Sequence, residues 1–170
     1  MTITRIRRAA ALAGAAIVLS SALTGCSALS GILGGNDAQR DDQGNVTEGS
    51  SIDIFSLKVG DCKMEDVAGE IQDTDVVPCS EPHDEEVYFE FELADGDFPD
   101  EETISAEGET QCTEQFVSYT GSDLETTELW YFWITPTKDT WEQLNDRLVQ
   151  CVLYHYEGEQ LTGSAKGTAL

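Results

Sequence analysis

The stretch VPCSEPHDEEVYFEFEL, Val77 to Leu93, sets a cysteine, two prolines, a histidine and a run of carboxylates ahead of an alternating pattern. In its second half, Val87, Phe89, Phe91 and Leu93 fall on one side, with Glu86, Tyr88, Glu90 and Glu92 on the other. Strict alternation of this kind predicts a strand with one face on a core and one toward water, typical of an antiparallel sheet. Pro78 and Pro82 push Val77 and Glu81 toward extended backbone, so the approach to the strand resists helix. Three readings compete for this corner. A metal site needs ligands on one side, but a side-chain period of two separates His83 from Glu86 and leaves it only Glu85. A catalytic corner lacks a nucleophile: no serine sits in a G-x-S-x-G turn, and the cysteines are accounted for below. The third reading is structural. Cys79 staples the turn, and His83 bonds to backbone or carboxylate, oriented by Asp84 or Glu86. It explains the most residues, and no catalytic, cofactor-binding or metal-ligating residue is assigned.

Downstream, DEETISAEGETQCTEQFVSYTG shifts to helical spacing. Ile104, Gly108, Cys112, Phe116 and Tyr119 recur every three or four residues, acids crowd the first turn, and Gly121 marks the stop. ELWYFWITP is apolar on both faces, the pattern of a central strand covered on both sides. TKDTWEQLNDR predicts a short helix or turn, LVQCVLYHY another strand, and EGEQLTGSAKG a last edge strand. Of the three tryptophans, Trp130 and Trp133 are expected in the core and Trp141 exposed. The acidic loop DGDFPDEE, Asp95 to Glu102, is not an EF-hand, because Pro99 takes a ligand position and Asp100 replaces the glycine of the sharp turn. The expected fold class is α+β: an antiparallel sheet packed with one main helix and stapled by two disulfides.

The chain opens with a basic segment, MTITRIRR, an apolar stretch too short to span a bilayer comfortably, and LTGC, Leu23 to Cys26. That order resembles a bacterial lipobox, which predicts a lipoprotein signal peptide over 1–25 and lipidation, palmitate included, of Cys26. Two or three acyl chains anchor stably where one binds only marginally, at about 0.8 kcal/mol per buried methylene. Residues 26–51, rich in Gly, Ser, Asn, Asp and Gln, are expected to form a flexible tether, and 52–170 one globular domain. With Cys26 lipidated, Cys62, Cys79, Cys112 and Cys151 remain, and an even number outside an oxidising membrane implies two disulfides with three connectivities. The favoured pairing is Cys62–Cys79, bracketing a hairpin-sized segment, with Cys112–Cys151 tying helix to late strand. Zinc would need clustered spacings such as C-x-x-C, which are absent.

The chain holds 9 basic and 33 acidic residues, net −24. Loss of Arg5, Arg7 and Arg8 with the signal leaves 6 basic residues against 33 acidic ones, net −27. Such a surface repels nucleic acid and anionic lipid, excluding nucleic-acid binding, and suits cationic partners or divalent cations.

Taken in order, Gly60-Asp61-Cys62, Pro78-Cys79, Pro82-His83-Asp84 with Glu86-Val87, Cys112, Pro136 with Trp141, Asp146-Arg147 with Val149 and Cys151, and Leu161-Thr162-Gly163-Ser164 resemble the septum-formation-related domain of actinobacterial envelope proteins, often lipoproteins. Asn145 stands where glycine is expected before Asp146-Arg147, and asparagine tolerates the left-handed turn. The resemblance implies an envelope location, a link to septum formation and division, and no enzymatic activity. The expectation is therefore a lipid-anchored protein on the outer face of the plasma membrane. It would bind an envelope protein or cell-wall component and need no cofactor. The alternative is an acidic cation- or ligand-binding accessory lipoprotein unrelated to division, with a hydrolase third.

Overall fold

The computed structural model describes residues 37–170 except 68; Cys26, its signal and residues 27–36 lie outside the described residues. One antiparallel sheet runs in the order β1-β3-β2-β4-β6-β5. Its strands are β1 (Ser50–Asp53), β2 (Cys62–Lys63), β3 (Asp73–Val77), β4 (Glu85–Glu92), β5 (Leu129–Ile134) and β6 (Leu148–His155). Helix α1 (Glu101–Thr120) links β4 to β5, and α2 (Lys138–Leu144) links β5 to β6. Disulfides Cys62–Cys79 and Cys112–Cys151 close loops of sequence separation 17 and 39. In the chain-entropy model loops of this size contribute roughly 3 to 4 kcal/mol each. The fold is thus the expected α+β class, with the favoured pairing.

Helix α1 follows its sequence signals closely. The Asp100 carboxylate accepts from the Thr103 amide at the N-terminus, and Gly121 ends the helix in the left-handed region at φ 76°. Ile104, Gly108, Cys112, Phe116 and Thr120 form the buried stripe, every fourth residue, with Tyr119 half-buried beside it. Gly108 is required by contact: a Cβ there would lie 2.6 Å from the Trp133 ring. Under α1 pack Tyr88, Phe116, Leu129, Tyr131 and Leu153 around the Cys112–Cys151 bridge.

Strand β4 departs from its predicted alternation. The ladder with β6 pairs Glu86 with Leu153, Val87 with Val152, then Phe89 with Cys151, leaving Tyr88 as the extra residue of a bulge. One inserted residue moves everything beyond it to the other face. Phe89 and Phe91 therefore share the α1 face with Glu86 and Tyr88, while Val87 packs opposite with Ile52, Val76 and Val152. Glu86 and Tyr88, expected toward water, are buried, and Tyr88 donates to the Cys112 carbonyl at 2.9 Å.

Four further expectations change. Strand β5 is an edge strand rather than a central one: its second side has no strand partner among the described residues. Its outer apolar residues are half-covered, and Trp130 is 44 % exposed, whereas Trp141, expected exposed, is 4 % exposed. The segment from residue 37, assigned to the tether, packs on the domain. Arg40 bridges to Val46, its guanidinium holds both carboxylate oxygens of buried Asp61 at 2.5 and 2.8 Å, and Ser50 and Ser51 already belong to β1. The C-terminal tail adds no strand. It makes a single bridge, Leu161 to His83, and is then stitched on by Gly163 to the Cys79 carbonyl, Gly167 to Tyr119 and Ala169 to Thr120.

Candidate functional site

The corner singled out by sequence is a knot of buried polar groups around the Cys62–Cys79 bridge. Cys62 and Lys63 of β2 lie between β3 and β4, so this two-residue strand carries both the disulfide and a fully buried lysine. Lys63 Nζ donates to Glu85, to Asp66 at 2.8 Å and to the Met64 carbonyl at 2.9 Å, so its charge is neutralised and its protons are used. Burial pushes the Glu85 carboxyl above its ordinary range, with Lys63 opposing.

Glu86 is the centre of the knot. It is fully buried and accepts from Tyr119 Oη at 2.7 Å, Ser164 Oγ at 2.5 Å and the Ala165 amide at 2.7 Å. One carboxylate thereby joins β4, α1 and the tail. The same burial and the Glu86 charge hold the Tyr119 phenol above its ordinary pKa, keeping it a donor. This gives the Leu161–Ser164 element a role: it delivers Ser164 and Ala165 to Glu86.

His83 is fully buried, and its Nδ1 faces the Glu81 carbonyl at 2.8 Å. Its Nε2 has no hydrogen-bond partner. Ligand atoms of Cys62, His83 and Glu86 all lie within 4.8 Å of one another. The expectation that His83 and Glu86 point apart fails because a bend at Asp84 separates them, so the strand period does not run between them. The set still makes a poor metal site in the oxidised protein. The Cys62 sulfur carries no thiolate charge in a disulfide, and the Glu86 oxygens already accept three hydrogen bonds. Asp84 does not orient His83; it accepts from the Glu65 amide and the Gln160 side chain at 2.9 and 3.0 Å.

Trp141, Asp146 and Arg147 form a second knot at α2. Trp141 Nε1 donates to the Gly96 carbonyl at 3.0 Å, and the Arg147 guanidinium stacks 3.6 Å from the ring centroid. Asp146 accepts from the Leu148 amide and Thr140 hydroxyl, and Asn145 takes the left-handed conformation at φ 56°. These motif residues are therefore consumed by the fold: every charged one among them is already bonded.

Sequence reasoning missed the open clefts of the molecule. On the sheet face turned from α1, Phe132 and Tyr154 floor a cleft of about 560 Å³ rimmed by Glu65, Asp66, Glu85 and Glu159. It adjoins a second cleft of about 760 Å³ through Gly69, Ile71 and Phe132. No signal in the chain marks it, because its walls come from four separate segments.

Residues 26–151 match the septum formation family. No curated protein and no solved structure matches the chain. The match links the chain to septum formation, and the two disulfides fit an extracytoplasmic location. The chain belongs to the septum formation family.

Proposed function

We propose that the chain is a lipid-anchored, extracytoplasmic interaction domain without enzymatic activity, which binds another component of the cell envelope during septum formation. The observation that carries this is the family match over residues 26–151. The Leu23–Cys26 lipobox pattern supports anchoring through an acylated Cys26. Support for binding over catalysis comes from the charged motif residues, each already bonded within the fold. Glu86, Asp84 and Arg147 each serve folding contacts and offer no reacting group beside a nucleophile. The acidic clefts favour a second reading, a ligand- or cation-binding accessory lipoprotein outside division.

The test is depletion and complementation. Cells lacking the protein are expected to place or complete septa abnormally, with rescue by the wild type but not by Cys26→Ala. Normal septa after depletion, with growth failing only on limiting solute, would replace this reading by the accessory one.

A further inference from the structure

Given the binding role proposed above, on which this inference rests, the question is where a partner sits. The two clefts share Gly69, Ile71 and Phe132 and together follow β6 from His155 and Tyr154 at one end to Gln150 and Leu148 at the other. An eight-residue strand is about 25 Å long, so the groove matches an extended chain of about seven or eight residues rather than a compact small molecule. Its floor is apolar and aromatic, with Phe132 and Tyr154 rings 6.0 Å apart.

The rim carries a single sign of charge. Neither cleft is lined by a lysine or arginine. Some rim carboxylates serve the fold: Asp66 and Glu85 neutralise Lys63, and Asp84 and Asp146 accept local hydrogen bonds. Glu65, Glu70, Asp139 and Glu159 do not. All four are exposed, and among the described residues none of their carboxylates has a hydrogen-bond or ion-pair partner. Strand β5, whose Phe132 lines both clefts, has no strand partner on its second side among the described residues. A long apolar floor, a free acidic rim and an open strand edge are complementary to one kind of occupant.

We infer that this groove takes an extended, lysine- or arginine-bearing segment of a partner protein. An apolar side chain rests on Phe132 and Tyr154, and flanking cations meet Glu65, Glu70 and Glu159. Aromatic faces add to cation binding as well as apolar contact, and like-charge repulsion rejects acidic segments.

The experiment titrates the soluble domain into a labelled peptide of about nine residues, carrying lysines around one phenylalanine in a glycine–serine background. Fluorescence anisotropy is read at about 0.15 M salt, where the Debye length is about 8 Å. Two triple variants of identical charge are compared: Glu65→Lys, Glu70→Lys, Glu159→Lys in the groove, and Glu102→Lys, Glu107→Lys, Glu114→Lys on the exposed face of α1. The expected result is saturable binding that the groove variant weakens at least about tenfold, roughly 1.4 kcal/mol, while the helix variant stays within about twofold. Replacing the peptide's phenylalanine by serine should weaken it several-fold. Equal loss in both variants means nonspecific charge attraction and overturns the inference, as does absence of saturable binding by the phenylalanine–lysine peptide. Binding that calcium alone abolishes at equal ionic strength would assign the groove to divalent cations and overturn it too. Septal placement of the wild type is read separately. A septal protein that fails the titration loses only the groove, whereas a non-septal protein that passes loses only the division role.

Discussion

Glu86 concentrates the physics of the molecule in one side chain. A fully buried carboxylate is tolerable only when its lone pairs are met by good donors, and here a phenol, a hydroxyl and an amide supply them. Glu86→Gln keeps the shape but replaces an acceptor oxygen with an amide facing donors. We expect it to cost about 1 to 3 kcal/mol in denaturant unfolding and to remove exchange protection at the Ala165 amide selectively. Unchanged protection at Ala165 would refute the stapling role. Gly108 gives a sharper sign test. In an exposed helix interior Gly→Ala gains about 1 kcal/mol, but the Trp133 ring lies 2.6 Å from the added Cβ. Overpacking costs about 1 to 3 kcal/mol, so Gly108→Ala should lower the unfolding midpoint. The stripe containing Gly108 was legible because helical spacing is local. The burial of Glu86 and Tyr88 was not: a bulge at Tyr88 inverts the faces, and no residue between Val87 and Phe89 announces it.

The elements divide along similar lines. Helix α1 could be read from caps and period because those are properties of neighbouring residues. The disulfide partners followed from even count and spacing. Edge against centre could not be read for β5, since an apolar outer face is equally produced by a covering layer or by the rim of a cleft. Removing the longer bridge, with Cys112→Ala and Cys151→Ala together, is expected to cost about 2 to 5 kcal/mol and loosen α1 from β6. The cap of α1 has a pH signature. The Asp100 carboxyl is held below its ordinary value of 3.8 by the Thr103 hydroxyl and then the Thr103 amide, so its folded pKa is the lower one. Its contribution is therefore present above the unfolded value and lost as pH falls through the depressed one. The stability gap between wild type and Asp100→Ala, measured by thermal unfolding, should be constant near neutrality and close across that acid window. Glu85, whose carboxyl is raised by burial, acts with the opposite sign, most favourable when acidic and fading as pH climbs through its raised value. Only the difference between the two proteins isolates the cap.

At the scale of the whole molecule, function was far less legible than fold. The polar corner draws attention in sequence because histidine, cysteine and carboxylates sit together, yet those groups are taken up by the fold and hold the tail in place. The groove is invisible in the chain because Glu65, Phe132 and Glu159 meet only after folding. The N-terminal boundary was misplaced for a related reason: a polar, glycine-rich composition suggests a tether, but Arg40 finds buried Asp61 and anchors the segment. What remains is the claim that this domain, family and groove together, acts at the division site from the membrane. The most direct measurement is live-cell imaging of a C-terminally tagged copy in dividing cells, with Cys26→Ala alongside. The account predicts a band at the forming septum for the wild type and a dispersed or lost signal for the variant. An even ring of wild-type protein around the whole cell, unchanged as septa form, would contradict it.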